Sequence, residues 1–267
     1  MGLRDLARKL VFDSGRESRG GPANATLARA GAHLFGKVTD AWFNTRVEGV
    51  RSIPRQGGVM VVANHGFLAV ESSVMYNTIV RGTARIPRPV VAHFAWDVPV
   101  VGKVAGAFGA VRGDRGVAEA LLEAGELLLV YPGGVREASK GLDERERLMW
   151  EGRTGFVKVA LKTRCPIVPA AVLGADDVYW RGDIRLDVLA DLTGDRDAAI
   201  PVFMGMGPLP LPVNLTLRFG KPISMDHGPD AWQDDELVQR LQEEVRQAVE
   251  ALLAGPDFRG FPAESGG

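Results

Sequence analysis

Cysteine is almost absent from this 267-residue chain: Cys165 stands alone. One cysteine excludes an internal disulfide and a cysteine-based metal site. With no histidine near it in sequence, Cys165 reads as a small buried hydrophobe opening an apolar strand. Histidine is scarce too, and His33, His65, His93 and His227 lack the i, i+4 pairing of a helical zinc site. Neither sign of charge is in excess. With 32 Lys and Arg against 33 Asp and Glu, the net charge is −1, and no basic block or nucleic-acid-binding signature appears, so DNA and RNA are set aside as partners. No run approaches the ~18 consecutive apolar residues of a membrane span. Residues 1–12 mix charge with leucine, unlike the apolar core of a signal peptide, and Leu6 stands where a myristoylation motif starting at Gly2 needs Ser or Thr. The expected location is the cytoplasm, with any membrane met from its surface.

What is present is an ordinary globular composition: 46% hydrophobic and 24% charged residues, enough apolar side chain for a substantial core. Residues 3–12 place Leu3, Leu6 and Leu10 on one helical face and Arg4, Arg8 and Lys9 elsewhere, a pattern fitting either an anionic lipid surface or a helix packed on the domain. Residues 14–24 read as a loop, and a helix is expected over 26–43. From residue 46 the texture changes to alternating strands (58–63, 89–94, 109–112, 126–131, 167–173 and 215–219) and helices (71–80, 116–124 and 155–162). That alternation predicts an α/β fold with a mainly parallel central sheet flanked by helices. Residues 181–200, polar and rich in aspartate, read as a surface excursion. The apolar stretch 201–213 packs on the core or forms an exposed lip. Leu237, Leu241, Val245, Ala248 and Leu252 mark an amphipathic helix within 230–252. The expected organisation is an N-terminal helical segment (1–45), a main domain (46–225), a C-terminal helix packed on it (226–254) and a disordered tail (255–267).

Four segments carry polar chemistry at strand ends. The apolar run Val59 to Ala63 ends in Asn64-His65-Gly66, with Glu71 six residues after the histidine. Ligands of open α/β sheets bind just beyond the carboxyl ends of strands, where a histidine held by a carboxylate can move a proton near neutral pH. A polar strand end followed by a capped helix is the other reading of the same residues. Phe108 to Arg112 delivers an arginine, suited to phosphate or carboxylate or simply solvated. Tyr131-Pro-Gly133-Gly134-Val-Arg136-Glu137 follows the strand at 127–130; two glycines permit a tight turn with exposed N–H groups beside an arginine, or only a turn and a surface charge. Cys165 to Ala170 is an apolar strand bracketed by prolines, with Pro169 expected at an edge or bulge and the strand either core or a substrate-lining wall. His93, in Val-Val-Ala-His-Phe-Ala, is read as a hydrogen-bonded core histidine rather than a catalytic one.

In this order the four segments resemble the glycerolipid (lysophospholipid) acyltransferase family over residues 46–225. Asn64-His65 resembles the first family block, Gly106 to Arg112 the second, Tyr131 to Glu137 the third and Pro166 to Pro169 the fourth, with Leu209 to Ile223 similar to the closing strand. Two positions depart from the common pattern. The family's Asn-His-x4-Asp would put aspartate at 70, where this chain has Val70 and then Glu71. Its Phe-Pro-Glu-Gly-Thr-Arg would put glutamate at 133, where this chain has glycine. Pro132 to Ala138 instead matches the Pro-Gly-Gly-x-Arg-Glu-Ala of a branch similar to diacylglycerol acyltransferases and phytyl-ester synthases.

The resemblance implies transfer of a fatty acyl group from acyl-CoA or acyl carrier protein to a hydroxyl of a glycerolipid or lysophospholipid. His65 would be the general base, Glu71 its orienting carboxylate and Asn64 a support for turn or ring. Gly133 and Gly134 would supply oxyanion or anion donors, and Arg136 and Arg112 would anchor anionic substrate. No Gly-x-Ser-x-Gly elbow is present, so no covalent intermediate is implied, nor any metal or redox cofactor. The implied partners are acyl donor, lipid acceptor and a membrane surface. A lipid-binding protein with altered catalysis, or a hydrolase passing the acyl group to water, are the competing readings.

Overall fold

The computed structural model describes residues 25–96, 102, 105–186, 199–206 and 209–255. A seven-stranded sheet runs through it in the order β1-β9-β6-β2-β5-β3-β4. The strands are β1 Arg46–Glu48, β2 Val59–Ala63, β3 Pro87–Val91, β4 Val111–Arg112, β5 Leu127–Val130, β6 Ile167–Leu173 and β9 Thr216–Phe219. Strands β6, β2, β5, β3 and β4 are mutually parallel, β9 pairs antiparallel with β6, and β1 pairs parallel with β9. The sheet is therefore mainly parallel and flanked by helices, as the sequence pattern predicts.

Burial on both faces explains why the central strands read as unbroken apolar runs. All five residues of β2 are buried, but their side chains alternate. Met60 and Val62 join Leu128 under α5 (Gly155–Thr163), α3 (Arg115–Glu123) and α6 (Asp235–Ala254), while Val59, Val61 and Ala63 join Leu127 and Leu129 under α2 (Glu71–Thr83). Each such Val, Leu or Met side chain contributes about 1.5–3 kcal/mol by leaving water. Asp234 starts α6 by accepting from the Leu237 N–H, and Arg218 closes it by donating to the carbonyls of Leu252 and Gly255. Arg218 also pairs with the buried Glu48 across β1 and β9 at 3.0 Å. Helix α1 (Ala25–Phe43) packs on α2 through Ala28 and Ala32 against Tyr76 and Val80. At the amino-terminal end of the sheet, Arg85 donates to the carbonyls of Pro54, Gly57 and Gly125, tying three loops together.

Three expectations are corrected. Residues 181–200 are not all excursion: β7 (Trp180–Leu186) pairs antiparallel with β8 (Ile200–Met204) in a separate ribbon, and the Arg181 side chain is fully buried. The third strand ends at Val91, and His93 opens a 3-10 turn, exposed rather than in the core. Pro169 sits in β6, a central strand, instead of at an edge or bulge. Its missing N–H is tolerated because the paired register with β9 starts only at Ala170; just beyond it Gly220 donates to the Pro169 carbonyl at 2.8 Å, and the Gly220 carbonyl accepts from the Ser52 hydroxyl instead of a proline N–H. The fourth segment is core, with Ile167, Val168, Ala170 and Cys165 all buried. Residues 3–12, 14–24 and 256–267 lie outside the described part.

Candidate active site

The carboxyl ends of β2 and β5, adjacent strands, bring the first and third segments together. Asn64, at the end of β2, is buried and fully used by the neighbouring strand: its amide donates to the Val172 carbonyl at 3.0 Å and accepts from the Val172 N–H at 2.7 Å. That double bond braces β2 against β6 and fixes where the next residue emerges. His65 follows with a side chain 12% exposed, and its Nδ1 lies 2.6 Å from Oε1 of Glu71, which is wholly buried. An ionised carboxylate can only accept, so Nδ1 carries the proton and Nε2 keeps the lone pair of a base.

The spacing of this pair is built into an unusual backbone. Between histidine and glutamate the chain makes a 3-10 turn, Phe67–Ala69, in which Leu68 (φ 55°) and Ala69 (φ 59°) are both left-handed. Such a conformation costs on the order of 1–3 kcal/mol per non-glycine residue. It takes up the additional residue and delivers Glu71 into the first turn of α2, where the helix macrodipole favours a carboxylate.

Tyr131 completes the histidine's surroundings. Its ring stacks on the imidazole at 4.2 Å between centroids and 12° between planes. Burial pushes the phenol pKa well above its ordinary value, and the charge of Glu71 adds to the effect. Tyr131 therefore acts here as an uncharged flat wall. No motif marks this role, because the stack joins the turns after two strands, 66 positions apart in numbering.

The glycine turn is organised differently from the sequence expectation. Gly134 is left-handed (φ 52°), a conformation glycine adopts without steric cost, but its N–H is already given to the Tyr131 carbonyl at 3.0 Å. Gly133 remains as the candidate donor of the two. Arg136, on the short helix α4 (Gly134–Ala138), forms a two-pronged pair with Glu144 rather than facing open space. Arg112 reaches the same rim on the edge strand β4, three strands from β2 and so roughly 14 Å away at ~4.8 Å per strand, with its guanidinium 5.9 Å over the Trp96 ring.

Between the glycine turn and the ends of β3 and β4 lies a cavity of about 520 Å³, walled by His93, Gly113, Tyr131, Gly134, Val135 and Arg153. Arg153 donates to the carbonyls of Pro132 and Gly133, placing a cation beside the glycine turn. No motif singled it out. A second, apolar cavity of about 210 Å³, walled by Met60, Leu128, Val130, Phe156 and Val159, shares Val90 and Gly113 with the first. Among the described residues no group of three His, Cys, Asp or Glu stands close enough to hold a metal ion.

Residues 44–173 match the model of a family described as "Acyltransferase". The chain is 34% identical over 245 residues to an uncharacterized protein of Mycobacterium bovis, covering 87% of this chain and 67% of that protein. This chain belongs to the acyltransferase family. It is also 29% identical over 223 residues to the "DGAT1/2-independent enzyme synthesizing storage lipids" of Bos taurus, covering 83% of this chain and 63% of that enzyme. To "Phytyl ester synthase 1, chloroplastic" of Arabidopsis thaliana it is 26% identical, over 87% of this chain and 38% of that one. The chain thus spans less than two thirds of the cattle and plant relatives. In fold it is similar to the crystal structure of 1-acyl-sn-glycerophosphate acyltransferase PlsC from Thermotoga maritima, with a TM-score of 0.54, 20% identity and coverage of 87% and 82% of the two chains.

Proposed function

We propose that this acyltransferase moves a fatty acyl group from a thioester donor, acyl-CoA or acyl carrier protein, to a hydroxyl of a glycerolipid or lysophospholipid. The observation that carries the reading is the His65–Glu71 pair, 2.6 Å apart with only the histidine reaching the surface. Nε2 of His65 takes the proton of the acceptor hydroxyl as its oxygen attacks the thioester carbonyl. The C–O bond forms, the C–S bond breaks, and the imidazolium returns the proton to the leaving thiolate. Glu71 holds the ring and balances its transient positive charge, while the stack on Tyr131 keeps the ring from rotating. The Gly133 N–H serves the developing oxyanion. Arg153 lines the cavity that takes an anionic donor or headgroup, Arg112 stands next to its lining residue Gly113, and the adjoining apolar cavity accommodates hydrocarbon.

The acceptor is presented by a membrane surface in this reading. No helix among the described residues is long and apolar enough to cross a membrane. The β7–β8 ribbon, however, exposes Trp180 (57%), Ile184 (71%) and Met204 (62%). Contiguous with that patch, Phe203 packs edge-on against Phe67, two residues after His65. Such a patch on a water-exposed face is typical of an interaction surface.

Purified protein incubated with labelled acyl-CoA or acyl carrier protein, with and without mono- and diacylglycerol and lysophospholipid acceptors, tests both statements. Acceptor-dependent ester is the expected product. Acceptor-independent fatty acid would make the protein a hydrolase, and neither product would make it a binding protein. With acceptor embedded in vesicles, Trp180→Ser/Met204→Ser is expected to lose at least tenfold in rate while keeping its rate on detergent-dispersed acceptor. Equal losses on both would overturn the membrane reading.

A further inference from the structure

The acyl-transfer reading leaves one buried ionisable group without a task. Glu137, on α4, has no exposed surface, and neither of its carboxylate oxygens makes a hydrogen bond of ordinary geometry among the described residues. Leaving a buried carboxylate unsatisfied is costly, so its retention calls for a physical reason. The side chain folds back over Gly133. A Cβ placed on Gly133 would meet Glu137 Oε2 at 2.2 Å, its Cβ at 2.5 Å and its Cδ at 2.7 Å. The carboxylate thus fills the volume that a side chain at 133 would occupy, and Gly133 is glycine because Glu137 is there.

The groups around it come from several elements. Lys140, fully buried just past α4, pairs with Asp176 at 2.9 Å. Asp176, in the turn after β6, also lies 3.9 Å from the buried Arg181 of β7, whose guanidinium donates to the carbonyls of Lys140 and Asp176. From the turn after β2 comes His65, by both its ring and its backbone N–H. On the outer side, Arg153 holds the Gly133 carbonyl. Burial pushes the Glu137 carboxyl up to about 7, against the pull of Lys140 and His65. That places its titration in the range where histidine titrates.

We propose that Glu137 is a second carboxylate behind His65, a positioning residue that raises the basicity of His65 through its charge and holds the Gly133 turn by its volume. Glu71 acts on the imidazole from the Nδ1 side by direct contact; Glu137 acts from beneath, across the His65 backbone. The competing role is structural only: a counter-charge for Lys140 and Arg181, indifferent to the histidine.

NMR titration of labelled histidine in the full chain separates the two, with the His65 signal assigned by its absence from His65→Gln. In Glu137→Gln, which keeps the shape and removes the charge, the His65 pKa is expected to fall by about half to one pH unit, because a nearby negative charge favours the imidazolium. The acid limb of the kcat/KM profile should move to lower pH by the same amount. An unchanged His65 pKa in a folded Glu137→Gln would overturn the proposal, even if the melting temperature dropped. Should that variant fail to fold, the wild-type titration decides. Coupling to a carboxylate that titrates in the same range flattens the His65 curve below the steepness of a lone one-proton titration, and a curve of full one-proton steepness refutes the coupling. The titration needs no turnover, so a chain that transfers no acyl group would defeat the functional reading while leaving this one to stand or fall alone.

Discussion

Two turns leave neighbouring strands at the same rim of the sheet and use their charges in opposite ways. After β2, the turn sends His65 outward and Glu71 inward, and the two meet at 2.6 Å. After β5, the turn spends Arg136 on Glu144 and buries Glu137 on a short helix that packs against the other turn. The difference shows that a charged residue in a motif is available to a substrate only if no neighbour has already claimed it. His65 is orientated by its partner but keeps a free nitrogen, whereas Arg136 is held at both ends of its fork. Arg153, which belongs to no motif, holds the glycine turn by its carbonyls and lines the cavity beside it.

Breaking the first turn should have the larger consequences. His65→Ala is expected to lower kcat by on the order of 10²–10⁴ in a chain that still folds but melts at a lower temperature, since it removes the base together with the Tyr131 stack and the partner of the buried Glu71. Near-wild-type turnover would assign the chemistry elsewhere. Glu71→Gln keeps the shape but not the charge, so a fall of about 10²-fold in kcat with KM for the acceptor nearly constant is expected. A rise in KM alone would instead make Glu71 part of acceptor binding. The second turn should respond in stability. A double-mutant cycle of Arg136→Ala and Glu144→Ala, read by urea unfolding, is expected to show a coupling of about 1 kcal/mol, the scale of a well-formed, partly shielded ion pair. Donor and acceptor KM should change less than about twofold in Arg136→Ala if the arginine is structural; a tenfold rise would return it to the substrate site.

The His65–Glu71 pair was legible in the sequence because both residues belong to one short segment that folds on itself. β2 and β6 were legible because strands buried on both faces leave long apolar runs. The Tyr131 stack and the Glu137 contact with the His65 turn were not, since each joins positions brought close only by strand order. β7 was missed for another reason: its alternation is inverted, with Trp180, Ile184 and Leu186 facing out and Arg181 facing in. A rule that sends apolar side chains inward misreads such a strand as polar loop. Pro169 misled because a local rule about proline takes no account of where a partner strand's ladder starts.

The two left-handed residues Leu68 and Ala69 have a bearing on rigidity as well as on spacing. Glycine at either position would relieve strain, yet it would also open many more backbone states to the unfolded and partly opened turn. Ordinary side chains in an uncomfortable conformation leave the loop few alternatives once the surrounding packing has set it. The aim of the imidazole is therefore kept by a segment that is hard to form and equally hard to loosen, and a more relaxed turn would hold the ring with less accuracy.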